Sequence, residues 1–147
     1  MKLVFDIETD GLDATKIWCL VARDVDTGKV FSYSDHSPRL PSVKDGLDVL
    51  LNADALIGHN IIGYDIPMIK KITGVDLYSN KLFDTWIMSQ TLNYKRGHKH
   101  GLGGWGEHLG YPKFHFDDWA KYSDEMREYC IRDVNLNAKV YEILMQE

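Results

Sequence analysis

Hydrophobic residues occur along the chain in short runs separated by polar segments, and their spacing predicts the secondary structure. Lys2–Ile7 and Ile17–Arg23 are apolar and rich in strand-forming residues, and Lys29–Ser34 alternates between apolar and polar positions. Between the last two, Asp26–Lys29 has the sequence of a hairpin turn. We therefore expect about three strands at the start of the chain, with the second and third antiparallel.

The rest of the chain shows mainly helical spacing. Pro38 and Pro41 end the strand pattern, and apolar positions on one face of a predicted helix follow: Val43, Leu47, Val49, Leu50 and Leu51. Ala55–Gly58 is a candidate for a short buried strand, and Asp65–Ile72 for a helix that ends at Gly74.

Three further segments complete the pattern. Leu82–Thr85 is expected to open a helix whose cap is one of its last two residues. Lys95–Gly106 is expected to be a loop, and Asp124–Gln146 has the spacing of a long helix. Strands followed by helices and short strands predict a single α/β domain over residues 1–147.

Length and composition fit a globular protein with its own core. Of 147 residues, 44% are hydrophobic and 12% aromatic, which excludes disordered and low-complexity classes. No apolar run approaches the roughly 20 residues of a membrane helix, and Asp6 comes too early for a signal peptide. The two cysteines, Cys19 and Cys130, lack metal-like spacing. We expect a cytoplasmic protein with no disulfide framework and no membrane partner.

The formal net charge of −5 is unusual for a protein that binds nucleic acid, because such proteins usually present a basic surface. Acids held in a metal site do not repel a substrate once the metal is bound. If four carboxylates hold two divalent cations, a net charge of −1 remains. The charge therefore disfavours tight duplex binding but permits an enzyme that holds a few nucleotides.

Three segments carry four candidate carboxylates, two at a strand end, one at a helix start and one near the middle of the last helix. Asp6 and Glu8 lie on one face of a strand, because side chains alternate with a period of two. Asp65 follows a buried strand, and Asp133 lies one helical turn after Tyr129. Alone, each has an ordinary alternative, namely an exposed strand end, a helix cap, or a tyrosine at the edge of the core. Paired acids are costly unless a cation neutralises them, and hard divalent cations prefer oxygen ligands.

Together, the three segments resemble the exonuclease motifs of the DEDD superfamily, the DnaQ-like 3′–5′ exonucleases. Asp-x-Glu at residues 6–8, Asn-x4-Asp at 60–65 and Tyr-x3-Asp at 129–133 follow the family's order across nearly the whole chain. The last motif identifies the DEDDy branch, because the other branch would need histidine at position 128, where Glu128 stands.

Two connecting segments, 83–85 and 100–110, make the chain similar to the proofreading domain of phage family-A DNA polymerases. Polymerase palm and fingers would not fit in the remainder, so we expect an independent exonuclease or a separately encoded or excised domain. The resemblance implies an α/β, ribonuclease H-like (DnaQ-like exonuclease) fold, with a central mixed sheet of about five strands flanked by helices.

The resemblance also implies a two-ion mechanism. Four acids would hold two divalent ions, Mg²⁺ or Mn²⁺, one activating the attacking water and one stabilising the leaving oxygen; they are Asp6, Glu8, Asp65 and Asp133. Asp6 would bridge both ions, with Glu8 and Asp133 on the side of the attacking water. Asp65 would hold the second ion, largely through water. Tyr129 would orient the attacking water, since a phenol with a pKa near 10 is a poor base.

The matching positions further imply a substrate-binding set. The Thr9 backbone and the Leu12 side chain would contact the terminal nucleotide, and Asn60 and Tyr64 would lie on the substrate side of the middle motif. Stacking tolerates any base, which suits an enzyme that removes any nucleotide. For Leu12 and Tyr64, ordinary core packing is the alternative.

Other polar features have simpler interpretations. Lys95–His100 is the only concentrated basic run, and it either contacts substrate phosphates or forms a solvated loop. A zinc site is disfavoured because the candidate histidines lack cysteine partners and regular spacing; they are His98, His100, His108 and His115. Gly101–Gly106 lacks the ending of a phosphate-binding loop, and Trp105 is expected to pack in the core.

The sequence therefore favours a metal-dependent 3′–5′ exonuclease that releases nucleoside 5′-monophosphates from single-stranded or frayed DNA ends. One alternative is a 3′–5′ exoribonuclease of the same fold, because reading a 2′-OH depends on pocket geometry. Another is a non-catalytic replisome-docking module, which would have no reason to keep four clustered acids. Expected partners are DNA 3′ ends, with RNA and a separate DNA polymerase or replisome protein as further candidates. If the chain is viral, the compartment is the host cytoplasm.

Overall fold

The computed structural model describes residues 1–147, and its centre is a mixed sheet of five strands. They are β1 (Lys2–Thr9), β2 (Ile17–Asp24), β3 (Val30–Tyr33), β4 (Ala55–Gly58) and β5 (Leu82–Asp84), in the spatial order β3-β2-β1-β4-β5. β2 pairs antiparallel with β1 and β3, whereas β4 lies parallel between β1 and β5. The predicted mixed sheet and the antiparallel second and third strands are confirmed.

Helices flank both faces of this sheet. They are α1 (Val43–Leu51), α2 (Ile66–Thr73), α3 (Thr85–Leu92), α4 (Leu102–Leu109) and α5 (Asp124–Met145), and one turn of π-helix, Ile61–Asp65, leads into α2. α1 and α2 cover one face, α5 covers the other, and α3 and α4 pack against α5. This arrangement is the α/β, ribonuclease H-like fold that was expected. No helix combines the length and the apolar character needed to cross a membrane.

The alternation of side chains along β1 decides which face carries the acids. Leu3, Phe5 and Ile7 pack in the core under α1 and α2, whereas Val4 packs in the core under α5. Asp6 and Glu8 continue the side of Val4 because the side-chain period of a strand is two. Both acids therefore point towards α5, at the end of the sheet where the parallel strands β1, β4 and β5 terminate.

Local signals explain most element boundaries. α2 ends at Gly74, whose φ of 80° favours glycine, as predicted. The Leu82–Thr85 prediction is wrong for Leu82 and Phe83, which form β5 with Asp84 through parallel pairing with β4, whereas Asp84 is one of the two predicted caps. The helix begins only at Thr85, with Asp84 as its cap. Three residues are too few to show the alternation of side chains that marks a strand, so β5 can be recognised only from its pairing with β4.

The prediction of a loop over Lys95–Gly106 is wrong for its second half, because α4 begins at Leu102. The glycines that lower helix propensity there allow close packing. A Cβ at Gly106 would lie 2.8 Å from the Tyr111 carbonyl oxygen, a contact that only glycine avoids. Trp105 between these glycines is buried, as predicted, so tertiary packing outweighs intrinsic propensity in this helix.

Candidate active site

Three elements bring the four predicted acids together. Asp6 and Glu8 project from β1 towards α5, and Asp133 faces them from the middle of α5. Asp65 ends the π-helical turn, and its carboxylate accepts a hydrogen bond from the Ile7 backbone N–H at 3.3 Å. We call these residues the acid cluster (Asp6, Glu8, Asp65 and Asp133). The last three are buried, and Asp6 is partly exposed.

Burial raises the pKa of every member of the acid cluster, and the charges of other cluster members raise it further for Asp6 and Glu8. Burial raises the pKa of Glu8 to about 9 and, against hydrogen bonds from neighbouring groups, that of Asp65 to about 7. Burial also raises the pKa of Asp133 to about 6, although the charge of Lys113 lowers it. The pKa of Asp6 lies well above its usual range because of burial and the charges of the other three acids. Without a cation, the cluster therefore retains protons near neutral pH.

One buried oxygen atom of the cluster lacks a donor. Asp133 Oδ1 is buried and has no hydrogen-bond partner, while Asp133 Oδ2 lies 3.3 Å from Lys113 Nζ. An unsatisfied buried polar atom costs about 1–3 kcal/mol, and more for a charged group. Converging carboxylates with unused lone pairs are the ligands that hard divalent cations take. The residues present therefore fit divalent metal ions.

Tyr129 lies one turn before Asp133 on α5, at the rim of the acid cluster. Its ring packs edge-on against Trp119, with centroids 5.6 Å apart, and Lys113 Nζ lies 5.2 Å from the ring centroid. Burial and the charge of Asp133 raise the pKa of its hydroxyl. Tyr129 is therefore a neutral phenol that can donate or accept a hydrogen bond.

Lys113 is a cationic residue that sequence reasoning missed. Burial lowers the pKa of its ammonium group, but the charge of Asp133 more than compensates, so the pKa is raised overall and Lys113 stays protonated. It lines a cavity of about 260 Å³ together with Asp6, Asp133, His59 and Asn137. The residue belongs to the irregular segment between α4 and α5, where no period or motif could have identified it.

A second cavity lies beside Glu8 and contains most of the predicted substrate-binding set. Its volume is about 330 Å³, and it is lined by Ile7, Glu8, Thr9, Gly11, Leu12, Tyr64 and Trp119. The Leu12 side chain is 90% exposed, so the core-packing alternative is wrong for this residue. The Tyr64 hydroxyl donates to the Gly11 carbonyl at 2.8 Å and lies 2.7 Å from the Thr9 hydroxyl. Trp119, which sequence reasoning missed, supplies the facing aromatic surface.

Asn60, the remaining predicted substrate residue, lines neither cavity. Its φ of 61° is left-handed, a conformation that asparagine tolerates better than most residues. Its backbone N–H donates to Asp84 Oδ1 at 2.9 Å, and the Ile62 N–H donates to Asp84 Oδ2 at 3.1 Å. Asp84 therefore fixes the turn that carries Asp65.

Several groups of the basic run and several of the histidines are engaged by other groups of the protein. The Arg96 guanidinium is engaged by both Glu147 carboxylate oxygens, at 2.7 and 2.8 Å, and is not available to phosphates. Both His100 ring nitrogens are occupied, by the Ser89 hydroxyl and the Tyr94 carbonyl. His98 stacks on His108, and His115 lies apart beside Asp117. The four histidines do not converge on one point.

Two curated relatives match the chain in sequence. The DNA-directed DNA polymerases of Escherichia phage T7 and Enterobacteria phage T3 are each 25% identical to it, over 193 and 191 aligned residues, covering 99% of this chain. The chain spans only 27% of the length of each of these relatives. No protein-family model matches it.

Solved structures agree on the fold. A structure described as the apo form of the nuclease superposes with a TM-score of 0.74 at 20% identity, covering 99% of this chain and 72% of that one. The family B DNA polymerase of the archaeon Pyrobaculum calidifontis gives 0.70 at 16%, covering 98% and 24%. Exonuclease X in complex with 5′ overhanging duplex DNA gives 0.63 at 16%, covering 99% and 92%. These similarities support the predicted relationship to DnaQ-like 3′–5′ exonucleases, and the shared fold is the expected one. The single-domain assignment of residues 1–147 stays a prediction.

Proposed function

We propose that this chain is a metal-dependent 3′–5′ exonuclease that acts on single-stranded or frayed DNA ends and releases nucleoside 5′-monophosphates. The observation that carries the proposal is the acid cluster, in which four mutually repelling carboxylates converge beside Tyr129 with Asp133 Oδ1 left without a donor. The similarity to phage DNA polymerases and to an exonuclease bound to DNA supports DNA as the substrate.

The acid cluster would hold two divalent ions, Mg²⁺ or Mn²⁺, which when bound supply charge that activates water and stabilises the leaving oxygen. Asp6 is the member whose pKa responds to the charges of all three others, which makes it the best candidate for a ligand shared by both ions. Glu8 and Asp133 would complete the side of the attacking water, and Asp65, held by the Ile7 N–H, would serve the other side.

Two neutral or cationic side chains would act directly on the reactants. Tyr129 keeps its phenolic proton, so it can hold the attacking water in place by one hydrogen bond but cannot act as a strong base. Lys113 stays protonated 3.3 Å from Asp133, where its ammonium group can attract the phosphate of the substrate.

The second cavity would receive the terminal nucleotide. Leu12 and Trp119 present apolar surface on its walls next to Glu8, and a hydrogen bond joins the Thr9 and Tyr64 side chains, which line the same cavity. Stacking of a base on such surfaces is worth roughly 1–3 kcal/mol and does not depend on base identity. This pocket therefore suits stepwise removal of any nucleotide.

The experiment is a gel time course with 5′-labelled single-stranded DNA and the matching RNA, each with Mg²⁺, Mn²⁺ or EDTA. We expect DNA to shorten from its 3′ end with either metal and to stay intact with EDTA. Asp6→Asn should abolish the ladder. Asp48→Asn is the matched control, because Asp48 is an exposed acid on α1, on the opposite face of the sheet.

The outcomes separate the alternatives. Faster decay of RNA than of DNA would change the proposed substrate from DNA to RNA. The proposed fold and active site would stay the same. No cleavage of either substrate by folded protein would contradict the exonuclease proposal and favour a docking module. Full activity of Asp6→Asn would contradict the assignment of the acid cluster.

A further inference from the structure

A thiol that the proposed reaction does not use lies next to the acid cluster. Cys130, on α5, is fully buried, and its Sγ lies 3.8 Å from Asp6 Oδ2 and 3.7 Å from the Asp6 carbonyl oxygen. One candidate ligand atom from each of Asp6, Glu8 and Cys130 lies within 4.8 Å of the other two. Two carboxylates and one thiol therefore converge on one point.

We propose that these three residues, the mixed-ligand site (Asp6, Glu8 and Cys130), bind a thiophilic divalent ion such as Zn²⁺ or Cd²⁺. An ion bound there uses two members of the acid cluster, so it competes with the hard ions that would support hydrolysis and inhibits the enzyme. Binding of the soft ion stands on the geometry alone, whereas the inhibition rests on the proposed function.

The separation of the ligand atoms suits a single small ion. With metal–sulfur and metal–oxygen bonds of about 2.3 Å and 2.0 Å, a tetrahedral ion holds its sulfur and oxygen ligands roughly 3.5 Å apart. The observed distance between Cys130 Sγ and Asp6 Oδ2 is 3.8 Å. A shift of a few tenths of an ångström, within the freedom of two side chains, closes the difference.

A second observation points to a missing ligand at the same place. Asp133 is 5% exposed, and its Oδ1 has no hydrogen-bond partner. It follows Cys130 by three residues on α5, so the two side chains share a helix face, and it lines the same cavity as Asp6. Asp133 Oδ1 is therefore a buried acceptor without a partner beside Asp6, although it is not one of the three converging ligand atoms.

The chemistry of the thiol decides which ions use this site. Mg²⁺ and Mn²⁺ prefer oxygen ligands and gain little from sulfur, whereas thiolate ligands select softer ions. When the metal–sulfur bond forms, the Cys130 S–H bond breaks and its proton is released to solvent. The mixed-ligand site therefore distinguishes soft from hard ions, although both use Asp6 and Glu8.

Cys19 provides a matched control. It is the other cysteine of the chain, is equally buried, and lies opposite Glu8 in the β1–β2 pairing. Its sulfur is not among the three converging ligand atoms. Cys19 lies against the Cys130 thiol and beside Glu8, so Cys19→Ala tests whether the second thiol takes part. The proposed site keeps its signal without Cys19 and loses it without Cys130.

The experiment is a titration of the metal-free full chain with Cd²⁺, followed by the ultraviolet sulfur-to-metal charge-transfer band. We expect the band in the wild type and in Cys19→Ala, with a stoichiometry of one ion, and its loss in Cys130→Ala and Cys130→Ser. Circular dichroism identifies variants that fail to fold, and the serine variant replaces the alanine variant if the cavity destabilises it. In parallel, Zn²⁺ is added to reactions with Mg²⁺, and each variant is compared with its own rate in Mg²⁺ alone.

Each result bears on a separate part of the proposal. Absence of the band in folded wild type, or its persistence in both Cys130 variants, overturns the site. A Cys130-dependent band without inhibition by Zn²⁺ overturns the competition between soft and hard ions. A band in a protein that shows no nuclease activity with any metal leaves the mixed-ligand site in place and contradicts the proposed function instead.

Discussion

Two regions of this molecule bury carboxylates, and they stabilise them in opposite ways. Asp84, at the end of β5, is buried and accepts four backbone hydrogen bonds; the donors are the N–H groups of Asn60, Ile62, Trp86 and Ile87. In the acid cluster, the Ile7 N–H donates to Asp65, while Asp133 Oδ1 has no donor. Amide donors stabilise a buried anion, whereas neighbouring acids raise its free energy. Burial alone does not distinguish a structural acid from a metal ligand, but the number of donors does.

The two regions are also mechanically connected. Two of the four donors to Asp84 belong to the segment from Asn60 to Ile62, which continues into the turn that ends at Asp65. The other two belong to the first turn of α3. The carboxylate of Asp84 therefore holds the backbone that presents Asp65 to the acid cluster. Changes in the two regions should separate stability from activity.

The largest effect is expected from Asp6→Asn. Loss of a ligand shared by both ions should reduce the initial rate by at least about 10³-fold, roughly 4 kcal/mol of barrier. The same change removes repulsion from the cluster, so the free energy of unfolding in EDTA should stay equal or increase. Rates with Mg²⁺ and urea denaturation with EDTA measure the two effects. A large loss of stability in Asp6→Asn would show that the cluster is structural, like Asp84.

The reverse pattern is expected from Asp84→Ala. Four backbone donors lose their acceptor, which should lower the free energy of unfolding by about 2–4 kcal/mol, with or without metal. Asp48→Ala, on the exposed side of α1, should stay within about 0.5 kcal/mol of the wild type. Urea denaturation of both variants checks the expectation. An Asp84→Ala protein as stable as Asp48→Ala would mean that water replaces the carboxylate.

The comparison also explains what the sequence could and could not reveal. The sequence predicts that Asp6 and Glu8 share a face of β1 with Val4, because side chains along a strand alternate with a period of two. It also predicts that Tyr129 and Asp133 share a face of α5, because they are four residues apart in a helix. The donors of Asp84 could not be predicted, because Asn60 lies 24 residues away and contacts it only after β4 and β5 pair.

The residues that sequence analysis missed could be identified only from tertiary contacts, because no local sequence pattern points to a functional role for them. Lys113 and Trp119 belong to the irregular segment between α4 and α5, and only tertiary contacts bring them to the acid cluster. Cys130 lies inside a predicted helix, but its spacing marks it only as a core position. Its approach to Asp6 depends on how α5 packs over β1.

A smaller effect is expected from pH in the metal-free protein. The pKa values of Asp133 and Asp65, about 6 and about 7, lie above those of the same groups in an unfolded chain. At pH values between the unfolded and the folded pKa values, the folded state therefore binds more protons than the unfolded state. The contribution of these two acids to the free energy of unfolding should therefore be greatest below about pH 4 and should fall as pH rises through 6 and 7. We expect a loss of at least about 1.4 kcal/mol, the equivalent of one pKa unit.

Saturating Mg²⁺ should remove much of this dependence, because bound cations hold the acids ionised in the folded state. Thermal melts over this pH range with EDTA and with Mg²⁺ test both statements. A metal-free protein that gains stability as pH rises from about 5 to about 8 would contradict the raised pKa values of the cluster.

The smallest effect is expected from Tyr129→Phe, which tests the rim of the acid cluster. The change removes one hydroxyl and keeps the ring that packs against Trp119, so folding and metal binding should be preserved. If the hydroxyl only orients water, the maximal rate should fall about tenfold, equivalent to about 1.4 kcal/mol, with little change in the Mg²⁺ dependence. A metal ligand would behave differently, because its loss shifts the Mg²⁺ dependence as well as the rate. Single-turnover rates across Mg²⁺ concentrations separate the two cases, and a Tyr129→Phe enzyme with an unchanged maximal rate would exclude the orienting role.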